Sequence, residues 1–279
     1  MALFDQLALG VPAVYALASV CGFAGLVCRV AWLRRAACFA AVGGFALQTL
    51  AFMLGSHAAL PGGLSLGAYL QLLAWFLLLC GMLGWWKLQL EAPLLFAAPS
   101  AFLLAALAYP LLHRQIVLPA PLPGYFYALH IGALFLSLAT IALALGAGLL
   151  FLHMHRKIKA KEPLVGFQKD FPALSMLDKI NALCVLTGFP LYTIGIGAGF
   201  VWSGFVWGKA FSGDPKEIIS LFIWLGFALL FHQRLLRGWQ GRKPALFAIG
   251  LFTLCVFSIV VVNMFLPTHH AFVPLNAPQ

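Results

Sequence analysis

Eight long apolar runs joined by short connections constrain this chain more than anything else in it. They fall at about 7–28, 36–55, 64–86, 92–110, 126–153, 180–204, 217–236 and 244–266. About 20 apolar residues in helical form cross the hydrocarbon core of a bilayer. Inside lipid every backbone N–H and C=O must be satisfied by the protein itself, which leaves only helices and closed barrels. These runs are too long and too continuously apolar for barrel strands, which are about ten residues long and alternate in polarity. The sequence therefore predicts an all-α integral membrane protein: a bundle of eight transmembrane helices, with residues 1–279 forming a single membrane domain. Composition supports this, with 63% hydrophobic and 9% charged residues, and excludes a water-soluble enzyme, a disordered chain and a coiled coil. No basic stretch or small-residue cleavage site accompanies the first run, so it reads as a span and not as a secretory signal.

The net charge of +10 sits on no polar face of a soluble fold, so it does not point to nucleic acid. It orients the spans instead. With the N-terminus outside, the inner connections hold Arg29, Arg34, Arg35, Lys87, Arg156, Lys157, Lys159, Lys161, Lys169, Lys179, Arg234, Arg237, Arg242 and Lys243, and the outer ones only Arg114, Lys209 and Lys216. By the positive-inside rule both termini lie on the outer, extracytoplasmic side of a bacterial-type cytoplasmic membrane. The longest inner connection, Met154 to Lys179, starts basic, which suits anionic lipid. Its part from Phe171 to Lys179 has the apolar period of an interfacial helical turn.

Several chemistries are excluded next. Asp5, Glu91, Glu162, Asp170, Asp178, Asp214 and Glu217 all lie at span edges or in connections, which argues against a proton relay or transporter built on intramembrane carboxylates. Neither G-x-S-x-G nor H-E-x-x-H occurs. The six cysteines, 21, 28, 38, 80, 184 and 255, show no metal or redox spacing and read as small apolar residues.

The eight histidines sort by side. His57, His113, His130, His269 and His270 lie outside, whereas His153, His155 and His232 lie at inner ends. His130 opens the fifth span and His269/His270 follow the eighth, so imidazoles from both can stand at the outer boundary. Two such imidazoles can ligate a haem iron axially, or each can hydrogen-bond at headgroup level. His232 lies fifteen residues beyond Glu217, roughly 22 Å down a helix; it suits either a haem ligand in the inner leaflet or an interface histidine beside Arg234. His153 and His155 adjoin Arg156 and Lys157 and read as a solvated edge. The outer connection 200–217 crowds Trp202, Phe205, Trp207 and Phe211 between glycines. That is either an interfacial aromatic belt or a platform for a planar macrocycle, with Lys209 or Lys216 near its carboxylate tails. Asp214-Pro215 reads as a helix start, N-cap then first position.

These residues, in this order, resemble the cytochrome c assembly family of membrane haem-handling proteins, whose members include CcsA (ResC), CcmC, CcmF and the shorter HemX type. The resemblance runs through Leu177-Asp178-Lys-Ile-Asn181, Gly188-Phe189-Pro190 to Gly195-Ile-Gly197-Ala-Gly199, Trp202, Trp207-Gly208 and Asp214-Pro215-Lys216-Glu217. It continues at Trp224, His232-Gln-Arg234, Arg237-Gly238-Trp239-Gln-Gly241-Arg242, Asn263 and His270. It covers the second half of the chain, a haem-handling core over 126–272 with the aromatic outer loop at 200–217. One departure stands out: the family segment reads W-G-x-x-W-x-W-D-P-K-E, and here its later tryptophan positions are Phe211 and Gly213.

What the resemblance implies is specific. Haem b would be moved or presented at the outer face for attachment to apocytochrome c. His130 and His270 would be its axial ligands, with His270 preferred over His269 by the register from Asn263. His232 would be an inner ligand to the iron. Trp202, Trp207, Phe211 and Asp214 would complete the haem-binding set. The partners would be haem, the lipid bilayer, a CcsB/ResB-like membrane protein and apocytochrome c. The chain would then be the CcsA-like subunit of a holocytochrome c synthase, a haem lyase, though the resemblance leaves its standing as an enzyme open. The altered tryptophan segment and short length also fit a HemX-like, non-catalytic regulator of haem biosynthesis. A b-haem electron-transfer subunit would need histidine pairs at both depths, and His232 has no same-depth mid-span partner in the sequence.

Overall fold

Each apolar run is a helix. The computed structural model describes residues 2–55, 65–111, 124–262 and 265–266. Among these, eight helices are long and apolar enough to cross a membrane: α1 (Ala2–Val27), α2 (Ala31–Gly55), α3 (Leu66–Leu88), α4 (Ala92–Ala108), α5 (Gly124–Lys159), α6 (Leu174–Trp207), α7 (Pro215–Leu236) and α8 (Arg242–Phe257). A 3-10 turn follows α4 at Tyr109–Leu111, another precedes α6 at Gly166–Asp170, and α8 continues as a π-helical stretch, Ser258–Val262. This is a multi-pass α-helical membrane protein. Large apolar side chains such as Leu17, Phe23, Phe39, Leu103, Phe222 and Leu225 point away from the protein, as lipid-facing residues do and as residues of a water-soluble fold rarely do in such number.

The chain divides into two compact units, Met1–Leu118 with Leu152–Leu177, and Pro119–Phe151 with Asp178–Gln279. In the first, α1 packs along α2, α3 along α4, and α1 also meets α4. The Tyr15 hydroxyl donates to Gln48 Oε1 at 2.6 Å, and Gln48 Nε2 donates to the Gln71 carbonyl at 2.8 Å. Gln48 is only 1% exposed, so both ends of its amide must be satisfied within the protein. Polar pairs of this kind hold helices together where lipid removes the hydrophobic drive. At the basic end Arg29 and Arg34 both reach Asp170, and Arg34 also bonds Glu91 at 3.0 Å. The carboxylates of the first unit's connections therefore tie its basic loops together. The Arg29 guanidinium holds the Asp170 carboxyl below the usual carboxylate range, and Asp170 in turn raises Arg29.

The second unit contains the motifs singled out above. Its α5 and α6 meet through small residues. The Ser137 hydroxyl donates to the Gly188 carbonyl at 2.8 Å, and a Cβ on Gly188 would strike Thr140 and Phe227. A Cβ on Gly195 would strike Leu134, and one on Gly148 would crowd Ala245 of α8. Close backbone approach through small residues is how helices associate in membranes.

The helices differ from the sequence expectation in two respects. First, α5 and α6 have 36 and 34 residues, longer than the spans read at 126–153 and 180–204. Second, Phe171–Lys179 is not a separate interfacial turn. From Leu174 it is the start of α6 itself. Asp178 and Lys179 interrupt the apolar run but not the backbone, because no helix breaker follows until Pro190 and the Asp178 carboxylate is bonded within the protein.

Candidate functional site

At the end of the second unit away from its own α7–α8 connection, α6 stops at Trp207, and Gly208 takes φ +68°, the left-handed turn with which helices commonly end. Asp214 caps α7 as its position predicted: its side chain accepts from Lys216 N at 2.7 Å, with Pro215 next in line. Glu217 folds back over the connection, and its Oε2 accepts from Ser212 N at 2.8 Å, Ser212 Oγ at 3.1 Å and Gly213 N at 3.1 Å. Ser203 Oγ donates to the Lys209 carbonyl at 2.8 Å, closing the loop's first half. The Lys216 ammonium donates to the Ser258 carbonyl at 2.9 Å, where α8 becomes π-helical. Each residue of the Asp-Pro-Lys-Glu run thus has a structural task, and Lys216 is spent on α8.

The aromatic residues of this connection divide. Trp202 is buried, at 6% exposure, whereas Phe205 and Phe211 are 64% and 51% exposed. Phe211 lies against Phe200, and Phe205 against Phe126 of α5. The Trp207 side chain lies outside the described residues, as do His57, His113, Asn263, His269 and His270.

His130 is set two turns into α5 and is half-buried against α6. Its Nδ1 lies 2.7 Å from the Gly195 carbonyl. A carbonyl only accepts, so Nδ1 carries the hydrogen and, in the neutral ring, Nε2 keeps its lone pair. His232 repeats the arrangement near the basic end of α7: Nδ1 lies 2.8 Å from the Ala228 carbonyl one turn back, and the ring is exposed beside Phe231. Both imidazoles are oriented by a carbonyl at Nδ1, the kind of hydrogen bond that also orients metal-binding histidines. Among the described residues no three His, Cys, Asp or Glu side chains converge. An isolated imidazole could hold a metal only as one ligand among others supplied from elsewhere, as a macrocycle would supply them.

At the basic end the sequence alone gives Arg234 no partner. Arg234 has a side chain only 4% exposed. Its Nη1 donates to Asp178 Oδ2 at 3.0 Å and to the Trp239 carbonyl at 3.0 Å, and its Nη2 to the Asn181 side chain and the Asp178 carbonyl. Asp178 Oδ1 also accepts from Gly241 N at 2.8 Å, and Asn181 Nδ2 donates to the Ala144 carbonyl at 3.3 Å. The start of α6, the end of α7 and the connection to α8 are thereby locked together two residues from His232. The available sequence signal was that Asp178 and Asn181, three apart, share a helix face.

Residues 64–270 match the family described as cytochrome C assembly protein. The match begins well before His130, taking in α3 and α4 of the first unit. The chain is similar to the cytochrome c biogenesis protein CcsA of Chlamydomonas reinhardtii, 33% identical over 172 residues, which are 60% of this chain and 47% of that protein. It is also similar to the CcsA of Synechocystis sp., 48% identical over 88 residues, 32% of this chain and 26% of that protein. The CcsA of Prochlorococcus marinus is 40% identical over 95 residues, 34% of this chain and 30% of that protein. The alignments therefore span about half or less of these relatives' own length. The family match, by contrast, extends over most of this chain and includes His130, the aromatic connection, His232 and the Asp178–Arg234 lock: the chain belongs to the cytochrome c assembly protein family.

Proposed function

We propose that this protein serves c-type cytochrome biogenesis as a membrane haem-binding protein that holds haem b at the outer face for attachment to apocytochrome c. The observation that carries the reading is His130: its Nδ1–H is committed to the Gly195 carbonyl at 2.7 Å, so its Nε2 is left to a ligand. In this reading His130 and His270 would hold the haem iron, and His232 would bind haem nearer the basic, cytoplasmic side. The exposed Phe211, with Trp207, gives an apolar face for the macrocycle, Trp202 supports it from the interior, and Asp214 holds the connection by capping α7. Haem, when bound, supplies the vinyl groups that react with cysteine thiols. The chain's part is to ligate, orient and exclude water. Both termini lie outside, with the basic loops toward the cytoplasm of a bacterial-type cell and against anionic lipid. A CcsB/ResB-like protein is the membrane partner that would complete the inner site and make the pair a haem lyase.

A second reading, a HemX-like regulator without ligation activity, draws on one observation. Gly213, where the family segment has tryptophan, takes φ +77°, a conformation that strains any side chain. The conformation at 213 thus disfavours the ring that the family segment carries there.

The test is the dithionite-reduced absorption spectrum of detergent-purified protein, wild type beside H130A, H270A and H232A. A low-spin b-type spectrum weakened in both H130A and H270A is expected. Haem lost only in H232A would move the site inward and favour storage or transit. No haem in any preparation, even with haem supplied in excess, would leave the regulatory reading in front.

A further inference from the structure

We propose that the glycine face of α6 is a positioning seat for His130, in which Gly199 provides the space the imidazole occupies and Gly195 provides the carbonyl that fixes its proton. The inference rests on the haem reading above and assigns two residues to it that contact no haem.

The geometry is reciprocal. Gly195 and Gly199 are one turn apart on α6, and His130 and Leu134 are one turn apart on α5. Leu134 lies against Gly195: a Cβ there would come within 2.7 Å of Leu134 Cδ2 and 3.0 Å of Leu134 N. His130 lies against Gly199: a Cβ there would come within 2.5 Å of His130 Cε1 and 2.6 Å of Nδ1. The ring cannot retreat from a methyl group at 199 and keep its bond to Gly195, because the atom struck, Nδ1, is the one that makes the bond. Any side chain at 199 therefore releases Nδ1 from the carbonyl, re-aims Nε2 and lets the proton move between the two nitrogens.

Gly197 supplies the control. It lies in the same turn of α6 but on an exposed face, and a Cβ there meets nothing within 4 Å. G197A and G199A share the same gain in helix propensity and differ in the ring they meet.

The experiment uses the full chain in detergent and has two readouts. In haem-free protein labelled with 15N-histidine, the His130 resonances, identified by their loss in H130Q, report which nitrogen is protonated. Nδ1–H is expected in wild type and G197A, and a tautomer mixture in G199A. In haem titrations G199A is expected to bind about ten- to a hundredfold more weakly, the usual cost of losing an outer partner of a metal-binding histidine. Its spectrum should also gain a high-spin component, with G197A unchanged. Haem-loaded wild type with G199A indistinguishable from G197A overturns the seat and leaves the haem reading standing. A wild type that takes no haem overturns that reading and the seat's purpose with it. If G199A does not fold, the wild-type tautomer decides alone: Nε2–H in the haem-free protein overturns the proposal.

Discussion

Asp178→Asn should be the most damaging isosteric substitution in the second unit. The change keeps the size of the side chain and an oxygen able to accept from Gly241 N, but it removes the charge and turns the oxygen that accepts from Arg234 Nη1 into an amide donor. What it leaves is a guanidinium with 4% of its side chain exposed and no carboxylate at 3.0 Å. Unit charges about 4 Å apart attract by about 4 kcal/mol at an effective dielectric of 20, and removing one partner of a buried pair costs about 3–5 kcal/mol in practice. At about 2–4 °C per kcal/mol for a chain of this order of size, the midpoint of thermal unfolding should fall by roughly 10 °C. The assay is tryptophan fluorescence on heating in detergent, for D178N, R234Q and the double variant. Since each single change strands the residue that the other removes, the double variant should lose far less than the sum of the two. A D178N midpoint within about 2 °C of wild type, or additive losses, would refute the claim that this pair locks α6 to the α7–α8 connection.

Three further outcomes are expected. Asp214→Ala removes the α7 cap and should cost about 1 kcal/mol, with Asp214→Asn retaining most of it; denaturant titration in mixed micelles measures both. Glu217→Ala frees the amides of Ser212 and Gly213 from a charged acceptor, a bond worth about 1.5–3 kcal/mol, so their hydrogen exchange should quicken about ten- to a hundredfold while that of α7 beyond its first turns is unchanged. Asp170 is held below its ordinary value by Arg29. Its folded form therefore gains stability above the unfolded carboxylate value of about 3.9 and loses it as pH falls through the lower folded value; Arg29→Gln should flatten that part of the acid-unfolding profile.

What could be read in advance was local. The spans follow from runs of apolar residues, and the α7 start from adjacent Asp214 and Pro215, because a cap acts within one turn. The roles of Asp178 and Arg234 depend on a meeting between residues 56 apart, and the sequence showed Asp178 as an edge charge within a family-like run, with no partner named. Lys216 was legible as a cation near the aromatic loop, but not as a donor to Ser258, 42 residues on. Trp202 and Phe211 belong to one aromatic cluster in the sequence, yet one is buried and the other half-exposed, a division made by the neighbouring helices. His130 was picked out by its position. Its proton arrangement depends on Gly195, and no counting along the chain pairs residue 130 with 195.

The π-helical stretch at Ser258–Val262 changes how positions beyond it are counted. A π turn takes up one more residue than an α turn, and each residue in an α-helix advances about 100° around the axis. Phe265 and Leu266, the latter bonded from its N–H to the Val262 carbonyl, therefore stand about 100° from the azimuth that an unbroken α8 would give them. Deleting one residue within 258–262 and restoring α winding would turn Phe265 and Leu266 about 100° around the axis, so the phase of α8, as much as its length, sets which face these two residues occupy.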